Sequence, residues 1–166
     1  MAVAPALRAL RLNAVELMRQ PGATKPVDVT LGADARTQLE LDDPRLAGDV
    51  VFEGEAVSSI DGIAVHGEVR VPWTGTCRRC LDELSGVAVA DFDEVFQPEL
   101  RATGEAIPFT GDQIDLAPIV REYVLLELPD APLCRPDCPV IYPEYGADAD
   151  RRDPRWAALD DLHLDE

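Results

Sequence analysis

Four cysteines are the residues best equipped for chemistry in this sequence: Cys77 and Cys80 in Cys-Arg-Arg-Cys, and Cys134 and Cys138 in Cys-Arg-Pro-Asp-Cys. Each short clip lets one backbone turn present two sulfurs to one ion, and zinc favours tetrahedral sulfur ligation. Four thiolates from two clips would therefore hold one structural zinc, joining two distant stretches of chain and adding folding free energy. Two other readings fit the same residues. A Cys-x2-Cys clip is also a redox motif, although that chemistry prefers a helix N-terminus after a parallel strand. Buried cysteines can equally be small apolar packing residues. The neighbouring Arg78, Arg79 and Arg135 would lower the thiol pKa values and form a small cationic face for RNA or for a partner.

The elements around the clips are legible from period and turn chemistry. Phe52, Gly54 and Ala56 alternate with Glu53 and Glu55, and Asp61-Gly62 marks a tight reversal. Ile63, Val65, Gly67, Val69, Val71 and Trp73 then occupy every second position, so the two runs predict a hairpin. The first clip falls in the turn after that strand. A third strand is expected from Val87 to Phe96, with Ala88, Ala90, Phe92 and Phe96 on one side. A short strand is expected over 27–31, a loop over 32–48 and a mobile connection over 97–111. Asp115 is placed to cap a helix running to about Leu128, with Leu116, Ile119, Val120, Tyr123 and Val124 on one face and Pro129 as its stop. The expected fold is α+β: a small antiparallel sheet, one main helix and irregular tails. A single domain over 1–146 would be followed by an acidic tail over 147–166, where Trp156, Leu159 and Leu162 suit a short docking helix.

Charge narrows the function classes. The 166 residues contain 32 acids and 15 bases, a formal net charge of −17. Unaided binding to a phosphate backbone depends on Lys and Arg displacing counterions, so a polybasic nucleic-acid binder is excluded, DNA among its targets. Docking on anionic lipid is disfavoured for the same reason. Basic residues gather near the start, at Arg8, Arg11, Arg19 and Lys25, against the single acid Glu16. No apolar stretch reaches the roughly 20 residues that span a bilayer, and Arg8 and Arg11 interrupt any signal-peptide core, so a cytoplasmic location is expected. No phosphate loop, nucleophile elbow or His-Glu-x-x-His motif occurs. His66 on a polar strand face and His163 in the tail read as solvated, and no catalytic residue is expected.

Taken in order, several segments resemble the YceD family, the large ribosomal RNA subunit accumulation proteins. They are Arg-Gln-Pro-Gly at 19–22, the hairpin leading to Cys-Arg-Arg-Cys-Leu at 77–81, Asp-Glu-Val-Phe at 93–96, and Ile-Asp-Leu-Ala-Pro-Ile-Val-Arg-Glu at 114–122. Leu-Glu-Leu-Pro at 126–129, Cys-Arg-Pro-Asp-Cys-Pro at 134–139 and Asp-Pro-Arg-Trp-Ala-Ala-Leu at 153–159 complete the set. The resemblance implies a non-enzymatic factor supporting large-subunit ribosomal RNA accumulation, with metal at the cysteine clips. Its partners would be that RNA or a basic large-subunit ribosomal protein. Tyr142 and Tyr145 stand where relatives often carry two further cysteines. A site made by the two clips survives that change, whereas a cluster local to the second region would lose two of its ligands.

Overall fold

The computed structural model describes residues 3–140. The tail over 147–166, its expected docking helix, Tyr142 and Tyr145 lie outside the described residues. The elements in chain order are α1 (Pro5–Ala9), β1 (Arg11–Asn13), α2 (Ala14–Met18), β2 (Thr24–Leu31), α3 (Ala33–Gln38), β3 (Val50–Ser58), β4 (Ile63–Thr76) and β5 (Glu83–Pro98). A 3-10 turn (Glu99–Arg101), β6 (Ile107–Phe109), β7 (Gln113–Asp115) and α4 (Ala117–Glu127) follow.

Five strands form the main sheet in the order β2-β3-β4-β5-β6, and β1 pairs with β7 in a second, two-stranded sheet. The fold is α+β as the pattern predicts, with two departures. β6 runs parallel to β5, pairing Ile107 with Phe96, so the sheet is mixed and the stretch expected as a mobile connection contributes a strand. The stretch expected as a loop over 32–48 contains α3, a helix of six residues too short to show a recognisable apolar period.

Alternation on the strands decides which sheet face is covered. Val27, Val29, Leu31, Phe52, Ala56, Val65, Val69, Val71, Ala90, Phe92 and Phe96 are buried on one side. α4 lays Val120 and Val124 on that face, and Leu12 and Ile114 of the β1–β7 pair join the same core. Phe92 lies at its centre, edge-on to Phe52 at 5.1 Å and against Tyr123 at 4.8 Å. The Tyr123 hydroxyl donates to Glu94 at 2.8 Å, which satisfies its polar end beside the core. α4 begins two residues after the expected cap. Asp115 instead sits in β7 and accepts the Ala117 N–H at 3.0 Å.

The opposite face is polar. Asp28, Glu53, Glu68 and Asp91 are successive partners across four strands, so four carboxylates stand in one transverse row. Like charges directly opposite one another are unfavourable in a sheet. Arg70 relieves part of this row by pairing with both Glu53 and Glu68.

β4 and β5 pair from Ile63–Phe96 out to Thr76–Glu83, whereas β3 accompanies β4 only as far as Arg70. The hairpin therefore extends as a two-stranded ribbon beyond the rest of the sheet. A strap lines its β4 edge: the Ala47 N–H donates to the Pro72 carbonyl at 2.9 Å, and the Thr74 N–H to the Arg45 carbonyl at 2.8 Å. This ribbon carries the first cysteine clip at its tip.

Candidate metal centre

The tip is a compact turn. The Cys77 N–H donates to the Asp82 carbonyl at 2.8 Å, and the Leu81 N–H donates back to the Cys77 carbonyl at 2.9 Å. Leu81 closes it in the left-handed region, with φ of +64°. Non-glycine residues adopt that conformation rarely and at some cost, so the turn is held by its surroundings. Curling the chain this way brings the N–H groups of Arg79 and Cys80 onto the Cys77 sulfur.

The second clip arrives from the end of α4. Pro129 follows that helix, and Arg45 fixes the exit by donating to the Leu128 carbonyl at 3.3 Å and pairing with Asp130 at 2.6 Å. Arg45 is itself gripped by Asp43 at 2.7 Å, and the guanidinium holds the Asp43 carboxyl below its ordinary range. The same residue thus ties the strap on the ribbon to the segment that delivers Cys134 and Cys138. Replacing Arg45 with alanine should lower stability by about 1–2 kcal/mol in denaturant unfolding, because partly buried polar groups lose their partner. Asp43 contributes stability that is present above the unfolded carboxyl pKa of 3.8 and lost as pH falls through its lower folded value. The difference between wild type and R45A should therefore narrow in acid.

Two further bonds close the second clip onto the first. The Arg78 N–H donates to the Pro132 carbonyl at 3.1 Å, and the Cys134 N–H donates to the Cys77 sulfur at 3.5 Å. Arg79 reaches across to the carbonyls of Pro136 at 3.2 Å and Cys138 at 2.7 Å.

All four cysteines expected as ligands are brought together, with their sulfurs within 4.8 Å of one another. Cys77 and Cys138 are 3.8 Å apart, and Cys80 and Cys134 are 3.7 Å apart. A disulfide would need about 2.05 Å. A regular tetrahedron of sulfurs around zinc, at about 2.3 Å per bond, has edges of about 3.8 Å. The donor set and spacing therefore suit a soft, tetrahedral ion. Cys77 and Cys138 are buried, Cys80 is half-buried and Cys134 is exposed.

The thiols are electrostatically unequal. Cys77 is lowered to about 6, chiefly by the N–H groups of Cys80 and Cys134, with Arg79's N–H adding to them against the opposing effect of burial. Cys80 receives a lowering bond from the Asp82 N–H, but the Asp82 carboxylate at 3.2 Å, burial and the nearby sulfurs raise it on balance. Burial, followed by neighbouring Cys134, raises Cys138. The N–H groups around Cys77 thus favour its thiolate, whereas burial and neighbouring sulfurs or carboxylate favour the protonated forms of Cys80 and Cys138.

The expected cationic face changes in composition. Arg79 is half-buried and its guanidinium is turned inward onto two carbonyls, whereas Arg78 and Arg135 are exposed and Arg135 pairs with Asp137 at 3.4 Å. Backbone N–H groups, rather than the arginine charges expected from sequence, account for the lowered Cys77 thiol. Sequence reasoning missed Arg45, Asp82 and the clamp role of Arg79. An Arg between two cysteines signals charge, and only the fold shows which way it points.

Comparison with known proteins gives the same family as the motifs. A family model described as "Large ribosomal RNA subunit accumulation protein YceD" matches residues 65–163. Uncharacterized proteins of Mycobacterium tuberculosis and Mycobacterium bovis are each 33% identical over 166 positions, covering 90% of this chain and 79% of theirs. One from Mycobacterium leprae is 31% identical over 160 positions, covering 88% of this chain and 74% of its own. No solved structure matches. Among the described residues no helix is long and apolar enough to cross a membrane. The matched stretch takes in both cysteine clips and the helix between them: the chain belongs to the YceD family.

Proposed function

We propose that this protein is a non-enzymatic cytoplasmic factor supporting accumulation of large-subunit ribosomal RNA, and that its two cysteine clips hold one structural zinc. The observation that carries the metal reading is the gathering of four sulfurs, from segments more than fifty residues apart, at the spacing of a tetrathiolate site. The ribosomal part rests on the family's description. Cys77, Cys80, Cys134 and Cys138 would be the ligands. Bound zinc would supply positive charge that stabilises four thiolates and so links the ribbon tip to the segment after α4.

This chain's own residues prepare that site. The N–H groups of Arg79, Cys80 and Cys134 stabilise negative charge on Cys77, and the Arg79 clamp holds the second clip in register. Four protein sulfurs leave no open coordination position, which suits a structural role rather than catalysis. Arg79→Ala should weaken zinc binding about 10–100-fold in a chelator competition, the usual cost of removing an outer-shell partner.

Thiol redox chemistry has one supporting observation, the lowered Cys77 thiol. Yet the clip lies between antiparallel strands, without the helix N-terminus that such sites use. Thiol–disulfide exchange by the zinc-loaded protein, at rates comparable to its apo form, would favour the redox reading instead.

The acidic bulk favours a basic large-subunit ribosomal protein as the direct partner, leaving Arg78 and Arg135 as candidates for limited RNA contact. Deleting the gene should lower mature large-subunit RNA relative to small-subunit RNA and reduce the large-subunit peak on sucrose gradients. An unchanged ratio and profile would contradict the ribosomal role. Cross-linking then separates the routes: RNA recovered only when a ribosomal protein is present supports the protein route, and RNA joined directly to Arg78 or Arg135 peptides supports contact.

A further inference from the structure

The longest strand has one side without a partner. β5 pairs with β4 along Glu83–Phe96, but β6 meets it only at Phe96–Pro98. Tyr123 covers the neighbourhood of Asp93 and Glu94. Among the described residues, no strand or backbone hydrogen bond covers the second side of residues 83–91. Every second residue of an antiparallel strand turns both its N–H and C=O away from a given neighbour. Nine residues, about 30 Å of strand at roughly 3.3 Å each, thus present an open ladder.

Natural proteins commonly protect such an edge with lysines, prolines or a short strand. This one has none of those devices over 83–91, and Val87 and Val89 are 59% and 49% exposed. Asp91 and Asp93 follow on the same face, and β5 contains no Lys or Arg. Asp91 also ends the transverse row of Asp28, Glu53 and Glu68. Arg70 pairs with two of these and His66 with Asp93 at 2.8 Å, yet the carboxylates outnumber them and the field beside the edge stays negative.

We propose that the β5 edge over residues 83–91 binds an extended basic peptide segment of a partner protein by strand addition. Main-chain bonds would supply the pairing, apolar side chains would meet Val87 and Val89, and Lys or Arg would meet Asp91 and Asp93. Charge selects this occupant over a second copy, because pairing two β5 strands would bring acidic edges together on chains of net charge −17. The proposal rests on the reading of a basic protein partner and names the surface that receives it. Its test requires neither ribosomes nor metal binding.

The probe is a peptide of alternating sequence, with two valines and then two lysines on one face and threonines on the other. Two twins carry N-methyl groups at every second residue, one along each edge of the peptide. Titrated into the full-length, isotopically labelled protein, the peptide should shift amide resonances of residues 84–91. The twin methylated on the pairing edge should bind at least about tenfold more weakly. Val87→Lys/Val89→Lys and Asp91→Asn/Asp93→Asn should each weaken binding by about tenfold or more while leaving circular dichroism unchanged.

Absence of binding, shifts confined to another surface, or equal binding of both methylated twins would overturn strand addition. So would self-association of the chain through β5 that the peptide fails to displace. If the peptide binds but the RNA ratio in the deletion strain is normal, the edge assignment stands and the ribosomal reading fails. If the peptide does not bind but the RNA ratio in the deletion strain is altered, the edge assignment fails and the ribosomal reading stands.

Discussion

Cys77→Ser is expected to release the second clip from the ribbon tip while leaving the sheet folded. Cys77 is the most connected of the four sulfurs, accepting N–H groups from its own turn and from Cys134. A serine oxygen is a poorer partner for a soft tetrahedral ion, and zinc should fall from near one per chain to near zero under chelator competition. Loss of the staple leaves residues 129–140 tethered by the Arg45 and Arg79 side chains and by the Arg78–Pro132 backbone hydrogen bond. Backbone exchange at Arg78 and Cys134 should accelerate by about 100-fold or more, a local opening rather than global unfolding. The core should persist because Phe52, Phe92, Val120 and Val124 pack away from the sulfurs in a cluster of their own. Cooperative unfolding of the whole sheet in C77S would show that the site and the core are one unit, against this account.

Gly67→Ala is expected to damage that core directly. Gly67 on β4 is paired with Gly54 on β3, and the two backbones approach so closely that neither has room for a side chain. A Cβ at Gly67 would sit 2.4 Å from the Glu53 carbonyl oxygen and 2.7 Å from the Gly54 Cα. These are backbone atoms, so no rotamer change relieves the clash, and β3 must part from β4. That movement would disturb Phe52, Val65 and Val69, which are fully buried beside the pair. The cost should be about 3 kcal/mol or more, a large share of a typical 5–15 kcal/mol stability. Denaturant unfolding measures it directly. A change below about 1 kcal/mol would mean that the strands separate easily at this crossing.

The contrast between these substitutions shows what was legible in sequence. Period-two alternation from Phe52 to Trp73 identified the central hairpin and its buried face, and the face Leu116, Val120, Val124 identified the main helix. Such patterns are local, and one-sided burial imposes them residue by residue. The parallel β5–β6 pairing, the α1–β1–α2 segment and α3 left no comparable signal because each element is only three to six residues long. At the site, residue type and spacing identified all four sulfurs. They did not reveal that Arg79 clamps carbonyls or that Arg45 joins the strap to the end of α4. Those roles depend on contacts 57 to 85 residues apart in sequence, which no local pattern encodes.

Whether one zinc joins the two clips is read out by metal analysis of the full chain, purified without chelator and compared with the four single Cys→Ser variants. Close to one zinc per chain is expected in the wild type, lost when Cys77, Cys80, Cys134 or Cys138 is replaced in turn. Protein that binds no zinc even when zinc is supplied, or zinc retained at full affinity when any one of the four cysteines is replaced, would contradict a shared site.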